Sequence, residues 1–72
     1  MVSVTVNGEA YSLERGRVLG YSEVAKLARR DSKYLTIMYV HESGIRGTLH
    51  RGGPKAMATD GLSFTVMFTV NM

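Results

Sequence analysis

The chain has 72 residues, of which 44% are hydrophobic, 21% charged and 8% aromatic. That length holds one domain, residues 1–72, with no long linker, and the composition excludes disordered, collagen-like and low-complexity chains. The net charge of +3, nine Lys/Arg against six Asp/Glu, aids solubility and weakly favours acidic partners. It falls short of a nucleic-acid stripe, so nucleic acid is not an expected partner.

No cysteine is present, which removes disulfides and the usual structural zinc. Stability must come from one tight apolar core. The stretch from Met1 to Ala10 carries no charge before Glu9 and no continuous apolar run, so no secretory signal is expected. No stretch approaches the roughly 20 apolar residues of a membrane span. A cytoplasmic location is expected.

Val2-Ser3-Val4-Thr5-Val6 alternates β-branched apolar and polar residues, the pattern of a half-buried strand. Asn7-Gly8 supplies the positive φ of a two-residue hairpin turn. Ala10-Tyr11-Ser12-Leu13 alternates again. A hairpin over the first fourteen residues follows, with Val2, Val4, Val6, Tyr11 and Leu13 toward the core.

Glu14 to Val18 reads as a polar connection. Val24, Leu27 and Ala28 then share one helical face. Ser22 is the better N-cap by residue type. Gly20 fits the spacing better, because it places Leu19 and Val24 as a hydrophobic staple and Glu23 at the third helical position. Gly20 is therefore favoured. Arg29 and Arg30 fall in the last turn, where the helix dipole favours cations.

Asp31-Ser32-Lys33 ends the helix. Tyr34 to His41 is rich in strand formers on both faces, which suits a central strand or one with an exposed apolar face. Glu42-Ser43-Gly44 is a turn, and a short strand is expected around Thr48-Leu49. Arg51-Gly52-Gly53-Pro54 breaks regular structure. Lys55 to Ala58 reads as a few extended residues, and Thr59-Asp60-Gly61 as a turn.

The last segment is the plainest. Leu62, Phe64, Val66, Phe68 and Val70 point one way, and Ser63, Thr65, Met67, Thr69 and Asn71 the other. The two terminal strands carry the strongest apolar faces, so they should be neighbours near the sheet centre. The expected fold class is α+β, one helix packed on a mixed four- to five-stranded sheet.

The order and spacing of several short motifs carry a family likeness. They are Val4-Thr5-Val6-Asn7-Gly8, Leu19-Gly20-Tyr21-Ser22-Glu23-Val24 with Leu27-Ala28, Gly47-Thr48-Leu49 with Gly52, and Asp60-Gly61-Leu62-Ser63-Phe64-Thr65-Val66. Across nearly its whole length the chain resembles a β-grasp, ubiquitin-like domain, and is most similar to the bacterial multi-ubiquitin-type domains. Gly20 stands where that family more usually has a capping hydroxyl residue, and a single copy departs from its tandem arrangement. The resemblance implies a recognition module without a pocket. Conjugating and sulfur-carrier members of the fold use a tail ending in Gly-Gly. No glycine follows Gly61 here, so C-terminal conjugation is not expected.

The chemistry-bearing residues are few. His41 and His50 are the only histidines and lie in no triad or metal spacing, so no catalytic residue, metal or cofactor is assigned. A sheet with one helix is not expected to enclose a ligand cavity of about 300 Å³. Gly44-Ile45-Arg46-Gly47 has the G-x-x-G form of a KH loop, but that loop joins two helices and strand-like segments flank it here. Arg46, Arg51 and Lys55 among glycines form a candidate anion-binding loop. Lys26, Arg29, Arg30 and Lys33 read as a solvated helix face.

The sharper candidate is a protein-binding face. With Leu35, Ile37 and Tyr39 toward the helix, Thr36, Met38 and Val40 face out, as do Thr65, Met67 and Thr69. The patch then centres on Met38, Val40 and Met67, rimmed by Thr48 and His50, and ubiquitin-like proteins present an apolar patch on this same face. Methionines adapt to varied partners. The expected function is non-enzymatic protein–protein binding, as a ubiquitin-like module or adaptor encoded by a bacterium or phage. Two alternatives stand beside it. One is a small structural or decoration subunit that self-associates in an assembly such as a virion. The other is a conjugatable or sulfur-carrier protein.

Overall fold

A computed structural model describes residues 1–29 and 35–68. In chain order its elements are β1 (Val2–Val6), β2 (Glu9–Leu13), β3 (Val18–Leu19), α1 (Tyr21–Leu27), β4 (Leu35–Val40), β5 (Arg46–Leu49), β6 (Ala56–Met57) and β7 (Leu62–Phe68). Arg30 and Lys33 of the basic helix face, Tyr34, Thr69, Val70 and Asn71 lie outside the described residues.

Asn7 and Gly8 take φ values of 51° and 86°, so the two-residue turn closes β1 onto β2 in the expected register, with Val6 opposite Glu9. Asn7 does a second job that turn chemistry does not require. Its Nδ2 donates to the Val66 carbonyl at 3.3 Å, and its Oδ1 accepts from the Val66 N–H at 2.9 Å. The side-chain amide thus stands in for the next residue of β1 and satisfies a stretch of β7 that β1 is too short to reach.

The main sheet has the order β2-β1-β7-β4-β5. β1 and β7 run parallel, and the other pairings are antiparallel. The terminal strands are neighbours and β7 is central, as their apolar faces predict. With α1 packed over β4 and β7, the topology is β-grasp-like.

The core lies between this sheet and the helix. Val2, Val4, Val6, Leu13, Leu35, Ile37, Leu49, Leu62, Phe64 and Val66 are buried on the inner face, with Val24 and Ala25 from α1. No polar or charged side chain among the described residues is buried. Tyr39 and Tyr11 are partly buried against this cluster. A Cβ on Gly47 would collide with the Tyr39 ring, so Gly47 is the residue that lets Tyr39 lie across its cross-strand partner.

Gly20 is the N-cap, as the spacing indicates, and Leu19 and Val24 are both fully buried. Two tyrosines tie the helix to the sheet. The Leu35 N–H donates to Tyr21 Oη at 2.9 Å, and Tyr11 Oη lies 2.8 Å from the Leu27 carbonyl. The helix is shorter than its sequence pattern suggests. It stops at Leu27, with Ala28 as C-cap and Arg29 at a φ of 57°. The Arg29 N–H donates to the Lys26 carbonyl at 3.0 Å, a left-handed stop of the kind glycine usually makes. Arg29 therefore lies beyond the last turn, where Lys26 is the basic residue.

A second departure is a two-stranded ribbon. Val18 and Leu19, read as connection and staple, pair antiparallel with Met57 and Ala56. Gly16 and Ala58 extend the pairing through N–H bonds to Ala58 O and Arg17 O at 3.0 and 2.8 Å. The ribbon buries Leu19, Ala56 and Ala58 and leaves Val18 and Met57 exposed. No described helix is long and apolar enough to cross a membrane.

Candidate functional site

The outer face follows from register. Met38 lies between Thr65 of β7 and Thr48 of β5, and Val40 lies between Ser63 and Arg46. Met67 lies opposite Thr36 on the next row. Side chains alternate along each strand, so these residues all point away from the helix while Ile37, Phe64 and Val66 point toward it. Met38 is 40% exposed, Val40 39% and Met67 44%. The three lie together, as the alternation predicts, with Thr48 exposed at their rim.

A shallow depression of about 340 Å³ opens on this face, lined by Met38, Tyr39, Val40, Arg46, Gly47, Thr48 and Thr65. Along the strands of the outer face, Ala10, Ser12, Ser3, Thr5, Ser63, Thr65, Thr36 and Thr48 surround the apolar trio, and Arg46 is the one charged side chain among them. The face therefore offers thioether and aliphatic surface, hydroxyls and a single guanidinium.

His50 sits elsewhere. It lines a second depression of about 380 Å³ with Gly20, Tyr21, Ser22, Glu23, Arg51, Gly52, Gly53 and Lys55. The chain turns away after Leu49, and the Gly53 N–H donates back to the His50 carbonyl at 3.0 Å. The Lys55 stem lies over Gly20, where a Cβ would come within 3.3 Å of it. The candidate anion loop is thereby divided. Arg51 and Lys55 face the helix start with His50, whereas pairing of β5 with β4 holds Arg46 on the sheet. Both depressions exceed the expected volume, but they are open surface hollows rather than enclosed cavities.

The G-x-x-G segment is a hairpin. The Gly44 N–H donates to the His41 carbonyl at 2.8 Å, the His41 N–H donates to the Ile45 carbonyl at 2.8 Å, and strands flank it on both sides. His41 stacks edge-on against Tyr39, with ring centroids 5.4 Å apart. No three His, Asp or Glu side chains among the described residues come together as a metal cluster would.

One polar cluster escaped the sequence reading. Tyr11 Oη lies 3.0 Å from Glu9 Oε2 as well as 2.8 Å from the Leu27 carbonyl, so one phenolic hydrogen faces two acceptors. The Glu9 carboxylate, together with partial desolvation, pushes the Tyr11 phenol above its usual value of 10.0, against a smaller opposing effect of Arg29. The alternation of β2 puts Glu9 and Tyr11 on one face, which was the available signal.

The apolar pair Val18 and Met57 was also missed. The two lie directly opposite each other on the ribbon, 47% and 56% exposed. With them a wider pattern appears. Met1, Met38, Met57 and Met67, all the described methionines, are exposed, and none belongs to the core. Methionine is usually a core residue, so this segregation is unusual.

No family model matches the chain, and comparison with curated proteins and with solved structures found no match.

Proposed function

We propose that the protein is a non-enzymatic protein-binding module whose contact surface is the outer sheet face around Met38, Val40 and Met67. The observation that carries this reading is the solvent-facing trio itself, on a sheet whose other face already supplies the core. Three neighbouring apolar side chains in water gain from a partner's cover, and flexible thioethers fit more than one shape. Arg46 and the surrounding hydroxyls add directional contacts at the rim.

Size argues for transient contact. Five strands about 4.8 Å apart and about six residues long at about 3.3 Å each give a face of about 500 Å². A standard interface uses about 800 Å² per partner. The module then acts as a ubiquitin-like adaptor, in keeping with the sequence likeness to bacterial multi-ubiquitin-type domains, rather than as a permanently docked subunit.

The test is quantitative capture of partners from a bacterial lysate by the immobilised chain and by the double variant Met38→Asp, Met67→Asp. Both positions are exposed, so each change costs at most about 1 kcal/mol of strand preference and the variant stays folded. Loss of capture by the folded variant supports the reading, and undiminished capture discards it.

A further inference from the structure

β2 and β5 are the two edges of the main sheet, and among the described residues no further strand pairs with either. In the hairpin closed by Asn7-Gly8, Val6 and Glu9 form the hydrogen-bonded closing pair, so Ala10 and Ser12 turn their N–H and C=O groups away from β1. The His41 N–H to Ile45 carbonyl bond sets the phase of the other hairpin, which turns the backbone groups of Arg46 and Thr48 away from β4. All four residues are exposed, and among the described residues no other backbone hydrogen bond engages them. Neither strand, Glu-Ala-Tyr-Ser-Leu or Arg-Gly-Thr-Leu, carries the lysine or proline that commonly blunts an edge.

The edges also differ in charge. β2 carries Glu9, with Arg29 close by, and is followed by Glu14, while β5 begins at Arg46. Arg15, next to Glu14, lines a separate hollow with Glu42 and Asp60. Strand directions complete the match. β5 runs with β7 and β1, and β2 runs against β1, so a copy placed alongside by simple translation brings its β2 antiparallel to β5.

We propose that the chain associates head to tail with further copies of itself, β5 of one copy pairing antiparallel with β2 of the next. With Ser12 opposite Thr48, the register brings Glu14, the residue that follows β2, to the Arg46 end of β5. The contact is heterologous, so it leaves a free edge at each end and adds copies in a row. It uses backbone edges and stands independently of the apolar outer face.

The test is the weight-average mass of the whole chain at up to about 1 mM, which detects contacts as weak as millimolar. Wild type is expected to rise above 7.9 kDa as concentration increases. Ser12→Pro and Thr48→Pro each remove an outward N–H and no bond within the sheet. Each alone is expected to stay monomeric, and an equimolar mixture to stop at a dimer, because one edge survives on each partner. A second pair changes only exposed side chains. Glu14→Arg and Arg46→Glu are each expected to associate about tenfold more weakly alone than wild type, and to recover when mixed. Wild type constant at 7.9 kDa overturns the proposal. So does a mixture of folded proline variants that stays monomeric, or a proline variant that associates alone as wild type does. If the proline variants do not fold, a charge-swapped mixture that fails to recover overturns it equally.

Discussion

On the inner face of the sheet Val4, Val6, Ile37, Phe64 and Val66 are at most 4% exposed, whereas one residue along the same strands Met38, Thr65 and Met67 meet solvent. The inner set is aliphatic and aromatic, with few rotamers and close packing. The outer set has thioethers and hydroxyls, with the adaptable methionines grouped around Val40. One strand thus carries two kinds of information at alternate positions. Shape-specific residues hold the fold, and flexible ones face solvent.

The largest effect should come from the inner face. Phe64→Ala removes a side chain that is 1% exposed at the centre of β7 and is expected to cost about 3–5 kcal/mol in denaturant unfolding. Met67→Asp, three residues on but outward, should cost no more than about 1 kcal/mol. Equal losses at the two sites would erase the contrast between the faces.

Asn7 sharpens it next, because it belongs to turn and ladder at once. Asn7→Ala loses both the tolerated positive φ and the two bonds to Val66, and is expected to cost about 2–3 kcal/mol. Asn7→Gly keeps the turn and should cost about 1–2 kcal/mol. The gap between the two unfolding free energies separates backbone strain from the side-chain clamp.

Arg29→Gly moves stability the other way. Arg29 has a φ of 57°, which glycine adopts without steric cost. Net of the greater freedom of glycine in the unfolded chain, a gain of about 0.5–1 kcal/mol is expected. A loss would mean that Arg29 contributes more through its side chain than its backbone conformation costs.

The smallest effect is alkaline. The folded-state pKa of Tyr11 is raised, so the stability it contributes is fully present below the ordinary value of 10.0 and is lost as pH rises through the folded value. Stability should therefore slope downward above about pH 10, and Tyr11→Phe should flatten that part of the slope. An unchanged slope in the variant would remove Tyr11 as its source.

These sites also show what a sequence makes legible. Strict alternation from Leu62 to Met67 announced both faces of β7, and Asn7-Gly8 announced the first hairpin. The β3–β6 ribbon left no such mark, since two-residue strands have no period and the partners, Val18 and Met57, are far apart in the chain. The helix end was hidden because arginine rather than glycine holds the left-handed position. Met38, Val40 and Met67 were placed by parity alone. His50 was misplaced because parity stops meaning anything once the chain leaves β5 at the Arg51-Gly52-Gly53 break. Asn7 gave its turn away by residue type, but its grip on Val66 depends on how far β7 outruns β1.

The most direct measurement is methyl NMR of the chain labelled at its methionine methyl groups, titrated with a protein partner recovered by capture. Met57 on the ribbon, 56% exposed, is as open as Met38 and Met67 and serves as the internal control. Shifts or broadening at Met38 and Met67, with Met57 unmoved, are the expected result. Perturbation of Met57 with Met38 and Met67 unmoved would contradict the assignment of recognition to the outer sheet face.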